Sequence, residues 1–367
     1  MISALEKLGA SFVWDGEDLA VTPGTHEGDA DIDCGLAGTV MRFVPPLAML
    51  ARGEIRFDGD EGARRRPMQT TIDSLRALGA KTSDSEGLPF SVYGTGGVDG
   101  GNLEIDASSS SQFVSGLLLA AARFKNGLTL SHVGADLPSQ PHIEMTLKCL
   151  TDRGVSARAL SSTRWRVEPG AIAGGEFVIE PDLSNAGPFL AAAMVTGSVV
   201  TIPNWPAETT QVGFHYIDLL TRMGADISLE EGNLTLKGNG VVLGIDVDLS
   251  EAGELTPTIA ALATLAVSPS KLTGIKHLRG HETDRISALA TEINRVGATA
   301  IELADGLEIA PGDLRPALWQ SYHDHRMATA GAIVGLKVSG IEVEDIATTS
   351  KTMPGFEKLW KNMLDSE

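Results

Sequence analysis

Cysteine is nearly absent: Cys34 and Cys149 are the only two in 367 residues. Two thiols make neither a disulfide framework nor a zinc set, and they suit a reducing cytosol. Basic charge is also short. Lys and Arg total 29 against 48 Asp and Glu, a formal net charge of −19, which opposes non-specific binding to nucleic acid or to an anionic membrane. Any anionic ligand must therefore be held by a local basic cluster. No stretch reaches the roughly 18 consecutive apolar residues expected of a membrane helix. The opening MISALEKLGASF has neither the charged nor the apolar region of a signal peptide. A cytoplasmic protein without nucleic-acid or membrane partners is expected.

What the chain does have is a soluble globular composition, 43% hydrophobic and 21% charged, at a length that favours two domains, each with its own core. It also repeats itself. LEKLGA (5–10), LRALGA (75–80), LTDRGV (150–155), LTRMGA (220–225) and INRVGA (293–298) place Gly9, Gly79, Gly154, Gly224 and Gly297 at intervals of 70, 75, 70 and 73 residues. Each reads as an amphipathic helix closed by a left-handed glycine and followed by a strand. A second element keeps the same rhythm: DCGLAGTVMRFVPPLAML (33–50), DASSSSQFVSGLLLAAA (106–122), DLSNAGPFLAAAMV (182–195), DLSEAGELTPTIAALATLA (248–266) and DHRMATAGAIVGL (324–336). These are helices rich in small residues, opened by an aspartate. One unit of about 70 residues is being reused, in the order strand, small-residue helix, strand, amphipathic helix, strand, strand.

The middles of the small-residue helices, such as LLLAAA, suit close packing. Their first turns differ, because SSSSQ, GLAGT and DHR put polar side chains beside free backbone N–H groups, a recipe for binding an anion. The stretch SYHDHRMATAG (321–331) poses the choice most sharply. A metal held by His323 and His325 would need more ligands, and only His277 and His281 offer themselves, without cysteine. The anion reading uses Arg326, a permanent cation able to grip a carboxylate or phosphate with two N–H bonds, with Asp324 as helix cap.

LAGTVMR (36–42), SSQF (110–113), PSQPHI (138–143), HETDR (281–285), DHRMA (324–328) and KTMPGF (351–356), in this order on the repeat, closely resemble the 3-phosphoshikimate 1-carboxyvinyltransferases, or 5-enolpyruvylshikimate-3-phosphate synthases. The resemblance spans essentially the whole chain. It implies an α/β (α+β) fold of two lobes, an inside-out α/β barrel of βαβαββ units with pseudo-threefold symmetry. The lobes are expected at 1–181 and 182–367, closing on shikimate 3-phosphate and phosphoenolpyruvate. It implies a monomer in the shikimate pathway, no metal or organic cofactor, and a glyphosate target in which the small Gly38 leaves room for the inhibitor.

Carried over residue by residue, the resemblance implies that Gly38, Arg64, Gln112, Arg285, Arg326 and Lys351 bind phosphoenolpyruvate. Among the adjacent arginines of GARRRPM, Arg64 is the one chosen, and Arg42 supports the turn at Gly38. Ser110, Ser111, Gln112 and Ser139 hold shikimate 3-phosphate, with Glu254 on its 4- and 5-hydroxyls. Glu254, Glu282 and His325 are the catalytic expectations: Glu254 accepts the proton of the attacking 5-hydroxyl, Glu282 exchanges protons with the methylene carbon, and His325 packs near the reacting carbon. His281 stands where many members have lysine, so the hold on shikimate 3-phosphate is expected to vary across neutral pH. The reaction implied is addition of the 5-hydroxyl to phosphoenolpyruvate, then elimination of phosphate.

Six units should show six small-residue helices, yet five are present. Relative to the family the chain is expected to lack roughly 60 residues of a first unit of about 70, including a Ser-Lys-Ser segment whose lysine contacts both substrates, and turnover by the chain as written is expected to be lowered. The sister activity on UDP-N-acetylglucosamine ranks below, because that enzyme carries a cysteine in the loop where this chain has GARRRPM. A non-catalytic phosphate-ester binder and an unstable fragment are the remaining readings.

Overall fold

The five glycines that punctuate the repeat all lie in the left-handed region, at φ 95° (Gly9), 92° (Gly79), 76° (Gly154), 104° (Gly224) and 101° (Gly297). Each follows the last residue of a helix by two or three positions in the computed structural model, which describes residues 1–366. A side chain with a Cβ is penalised there, so glycine ends the helix and turns the chain into its strand.

The opening aspartates form a second recurring device. Each accepts a backbone N–H two or three residues on: Asp33 from Gly35 at 2.8 Å, Asp106 from Ser108 at 2.9 Å, Asp182 from Asn185 at 3.0 Å, Asp248 from Ser250 at 2.8 Å and Asp324 from Arg326 at 2.9 Å. Asp182 and Asp324 are the N-caps of Leu183–Thr196 and His325–Gly335. The other three close a turn first, and their helices begin later, at Gly38, Gln112 and Thr256. Aspartate serves both ends because its short carboxylate satisfies either a helix start or an Asx-turn.

Three units are complete. Ala30–Asp33, Arg52–Asp58, Lys81–Thr82 and Phe90–Thr95 make one sheet; Gly101–Ile105, Leu128–His132, Ala157–Ser161 and Arg164–Val167 a second; Asp246–Asp248, Ser270–Thr273, Thr299–Glu302 and Leu307–Ala310 a third. In each, the first two strands are parallel, the fourth joins the second antiparallel, and the third lies outermost. A small-residue helix connects the parallel pair and an amphipathic helix precedes the hairpin.

The chain divides into two compact units, Met1–Glu176 and Phe177–Glu367. In the first, the Gly38 helix and the Gln112 helix pack on one another, so closely that a Cβ on Gly116 would come within 2.3 Å of the Arg42 carbonyl oxygen. Phe113, Val114, Leu117 and Leu118 are buried on the Gln112 helix, each stabilising the fold by about 1.5–3 kcal/mol relative to exposure. In the second, the Thr256 helix is buried along its whole length and packs against the His325 helix.

Candidate functional site

In the Phe177–Glu367 unit, ionic groups gather at helix starts. Arg285 opens the helix Arg285–Arg295, which Asp284 caps by accepting Ser287 N–H at 3.1 Å. Its side chain is 2% exposed and donates in parallel to Asp324, Nε to Oδ2 at 2.7 Å and Nη2 to Oδ1 at 3.1 Å. Nη2 also reaches Glu282 Oε2 at 2.9 Å, and Nη1 lies 3.2 Å from His281 Nδ1. Burial works against the Arg285 charge, but Asp324 and Glu282 more than offset it and hold its pKa above the ordinary value. Burial likewise disfavours the Asp324 carboxylate, which Arg285 nonetheless keeps below the usual carboxylate range. Asp324 therefore does more than cap a helix, the single role its position in the sequence suggests.

Arg326, the second residue of its helix, lies 3.8 Å from Glu254 Oε2, while Ser184 Oγ donates to Glu254 Oε1 at 2.8 Å. Lys351 donates to Glu282 Oε1. Sequence reading brought Glu254, His281, Glu282, Arg285, Arg326 and Lys351 to this unit; the structure pairs Arg326 with Glu254, Arg285 and Lys351 with Glu282, and sets His281 against Arg285. It missed Ser184, whose only signal was its place two residues after the aspartate of a repeat unit.

His325 is buried and has no hydrogen-bond partner for Nδ1 among the described residues. Burial, with Arg326 and Arg285 beside it, pushes its pKa down to about 3, so the ring is neutral at physiological pH. His323, by contrast, is exposed. The metal reading thus loses the convergence it needs, and among the described residues no group of three or more His, Cys, Asp or Glu is arranged to hold a metal.

In the Met1–Glu176 unit, the GARRRPM arginines separate. Arg64 Nε and Nη2 donate to Asp58 Oδ1 and Oδ2, both at 2.9 Å, and Arg65 pairs with Glu61 at 2.6 Å. Arg66 instead turns inward: its Nη1 donates to Leu36 O at 3.3 Å, and a Cβ built on Gly38 would lie 2.8 Å from its Nη2. Arg64, the arginine expected at phosphoenolpyruvate, thus lies on Asp58. The end of strand Arg52–Asp58 presents a carboxylate that captures Arg64, leaving Arg66 as the arginine at the glycine turn. Arg42, 3% exposed, donates from Nη1 to Gln112 Oε1 at 2.8 Å and Ser110 Oγ at 3.4 Å, from Nη2 to Pro67 O at 3.4 Å, and lies over the Phe113 ring.

Ser110, Ser111 and Gln112 thus occupy one helix start, with Gly38 and Arg66 reached through Arg42 and Pro67. Ser139 stands at the N-cap position of Gln140–Thr151 in the left-handed region, φ 53°, without a side-chain capping bond. His132, buried at the end of Leu128–His132, accepts Ala107 N–H on Nδ1 at 3.1 Å and donates from Nε2 to Ala135 O at 2.7 Å, bracing the serine loop. These bonds require one neutral tautomer.

A family model described as EPSP synthase (3-phosphoshikimate 1-carboxyvinyltransferase) matches residues 1–360. A protein of Kocuria rhizophila named 3-phosphoshikimate 1-carboxyvinyltransferase is 54% identical over 380 aligned positions, covering 100% of this chain and 85% of that protein. Two structures of EPSP synthase from Acinetobacter baumannii superpose with TM-scores of 0.78 and 0.76, each 22% identical and covering 98% of this chain and 86% of theirs. The structural likeness agrees with the α/β architecture of repeated βαβαββ units.

Proposed function

The chain belongs to the EPSP synthase family, whose reaction moves the enolpyruvyl group of phosphoenolpyruvate to shikimate 3-phosphate, and from that premise we propose which of its residues do the work. The observation that carries the assignment is the set Arg285–Asp324, Arg326–Glu254 and Lys351–Glu282, in which two arginines at helix starts and a lysine at the end of the turn Ile346–Lys351 are held ready by internal carboxylates. Without substrate, these carboxylates relieve repulsion among the cations. Phosphoenolpyruvate brings a carboxylate and a phosphate of its own, so it competes for Arg326 and Lys351 and for the His281 edge of Arg285.

As the cations engage the substrate, Glu254 is freed as a proton acceptor and Glu282 for proton exchange, giving a proton to the methylene carbon in the addition and taking it back in the elimination. Glu254, steadied by Ser184, takes the proton of the attacking 5-hydroxyl; Glu282 exchanges a proton with the methylene carbon. His325 acts as a neutral ring against the reacting carbon, since an imidazolium is suppressed until about pH 3. Fixed cations then stabilise charge developing in the tetrahedral intermediate and on departing phosphate. Neither step requires a metal or organic cofactor.

In the other unit, Ser110, Ser111, Gln112 and Ser139 are the hydroxyl and amide groups for shikimate 3-phosphate, and Gly38 with Arg66 receives phosphoenolpyruvate. Glyphosate is expected to compete there. The protein acts as a cytoplasmic monomer in this reading. Phosphate release measured with each substrate alone, with both, and with UDP-N-acetylglucosamine as acceptor tests it: release with both natural substrates only is expected, and release with the nucleotide sugar alone as acceptor would reject it.

A further inference from the structure

The Arg285 helix makes a second contact with the segment that carries Asp324, and the reaction does not use it. Two turns beyond Arg285, Glu292 has no exposed surface. Its carboxylate accepts from Tyr322 Oη at 2.6 Å and Gln320 N–H at 3.1 Å, and from Arg295 Nε and Nη2 at 2.9 and 3.2 Å. A buried carboxylate needs such a set of donors to stay charged. Burial and the bond to Glu292 push the Tyr322 hydroxyl up to about 12, so it remains a donor at any physiological pH.

The segment so held is strained. Tyr322 and His323 lie consecutively in the left-handed region, at φ 54° and 53°, where residues with a Cβ are uncommon. Such backbone persists only where its surroundings impose it. Ser321 supplies one further restraint, with its N–H and Oγ donating to Glu344 Oε2 at 3.1 and 3.2 Å. Directly after the strained pair come Asp324, His325 and Arg326. One helix therefore grips this turn at both ends, Glu292 on Gln320 and Tyr322, Arg285 on Asp324.

We propose that Glu292 and Tyr322 are a positioning pair that fixes the left-handed turn and thereby aims Arg326 and seats Asp324 against Arg285. The inference rests on the reading of this cluster as the phosphoenolpyruvate site. Neither residue touches substrate; each acts through the turn.

Tyr322→Phe deletes one hydroxyl and keeps the ring, and Glu292→Gln keeps the shape while removing the charge. For both, steady-state kinetics is paired with a melting curve and with a pH titration of the His325 ring by 15N NMR, a readout independent of turnover. His325 faces Asp324, Glu282, Arg285 and Arg326, and a loosened turn admits water to it. Tyr322→Phe is expected to raise KM for phosphoenolpyruvate about 5- to 20-fold, with KM for shikimate 3-phosphate within about twofold, and to raise the His325 midpoint by about one pH unit or more. Glu292→Gln should give the same pattern, more strongly. Unchanged kinetics with an unchanged midpoint overturns the proposal, as does a fall in melting temperature with both KM values rising together. If the wild-type chain releases no phosphate, the functional reading fails on its own, and the His325 midpoint still decides this one: equal values in wild type and variants reject it.

Discussion

Asp324 shows how much one short side chain can be asked to do. Its two oxygens take the parallel donors of Arg285, and one of them also accepts Arg326 N–H, so a cap, an ion pair and the aim of a second arginine share one carboxylate. Asp324→Asn offers one acceptor fewer and no charge to a guanidinium that is 2% exposed. Breaking a buried pair in this way typically costs about 3–5 kcal/mol, and urea unfolding at pH 7 should show a loss of that size. His325 yields a pH prediction. Its folded pKa of about 3 lies below the ordinary 6.5, so below pH 6.5 the unfolded chain binds a proton that the folded one refuses. The stability it contributes is full above pH 6.5 and falls, by about 1.4 kcal/mol per pH unit, as pH drops toward 3. His325→Gln should flatten that part of the stability profile measured by denaturant titration between pH 4 and 7. The sequence announced Asp324 as a cap, since an aspartate directly before a small-residue helix carries that signal. It did not announce the Arg285–Asp324 pair, because the two lie 39 positions apart and are brought together only by folding.

At the level of elements, the repeat was readable because its punctuation is chemical: glycine where φ must be positive, aspartate where a turn or helix start exposes N–H groups. Where each helix begins was less so. After Asp33, Asp106 and Asp248 the aspartate satisfies a local turn first, a competition that composition alone does not decide. The arginine run divides for a related reason. Three adjacent cations look alike in sequence; Asp58 at the end of its strand holds Arg64 outside and Glu61 holds Arg65, while Arg66 turns inward. Arg66→Ala should therefore raise KM for phosphoenolpyruvate about 10- to 100-fold, the scale of losing hydrogen bonds to a charged group, whereas Arg64→Ala should stay within about twofold, since an exposed ion pair contributes little. Gly38→Ala tests the same turn from the other side. Its Cβ would meet the Arg66 guanidinium at 2.8 Å, so Arg66 must shift and KM for phosphoenolpyruvate should rise while melting temperature changes little.

For the molecule as a whole, a net charge of −19 sets the terms on which it can bind two phosphorylated compounds. Long-range attraction is absent, so the proposed binding rests on local cations, Arg285, Arg326 and Lys351, each paired with a carboxylate. The two compact units carry separate parts of that chemistry, hydroxyls, an amide and Arg66 in one, the linked ion pairs in the other. The most direct test is phosphate release by the purified chain supplied with phosphoenolpyruvate and shikimate 3-phosphate, run beside Arg326→Ala and Arg64→Ala. The account expects release only when both substrates are present, nearly abolished in the first variant and kept in the second. Release that survives Arg326→Ala, or that needs no shikimate 3-phosphate, would contradict it.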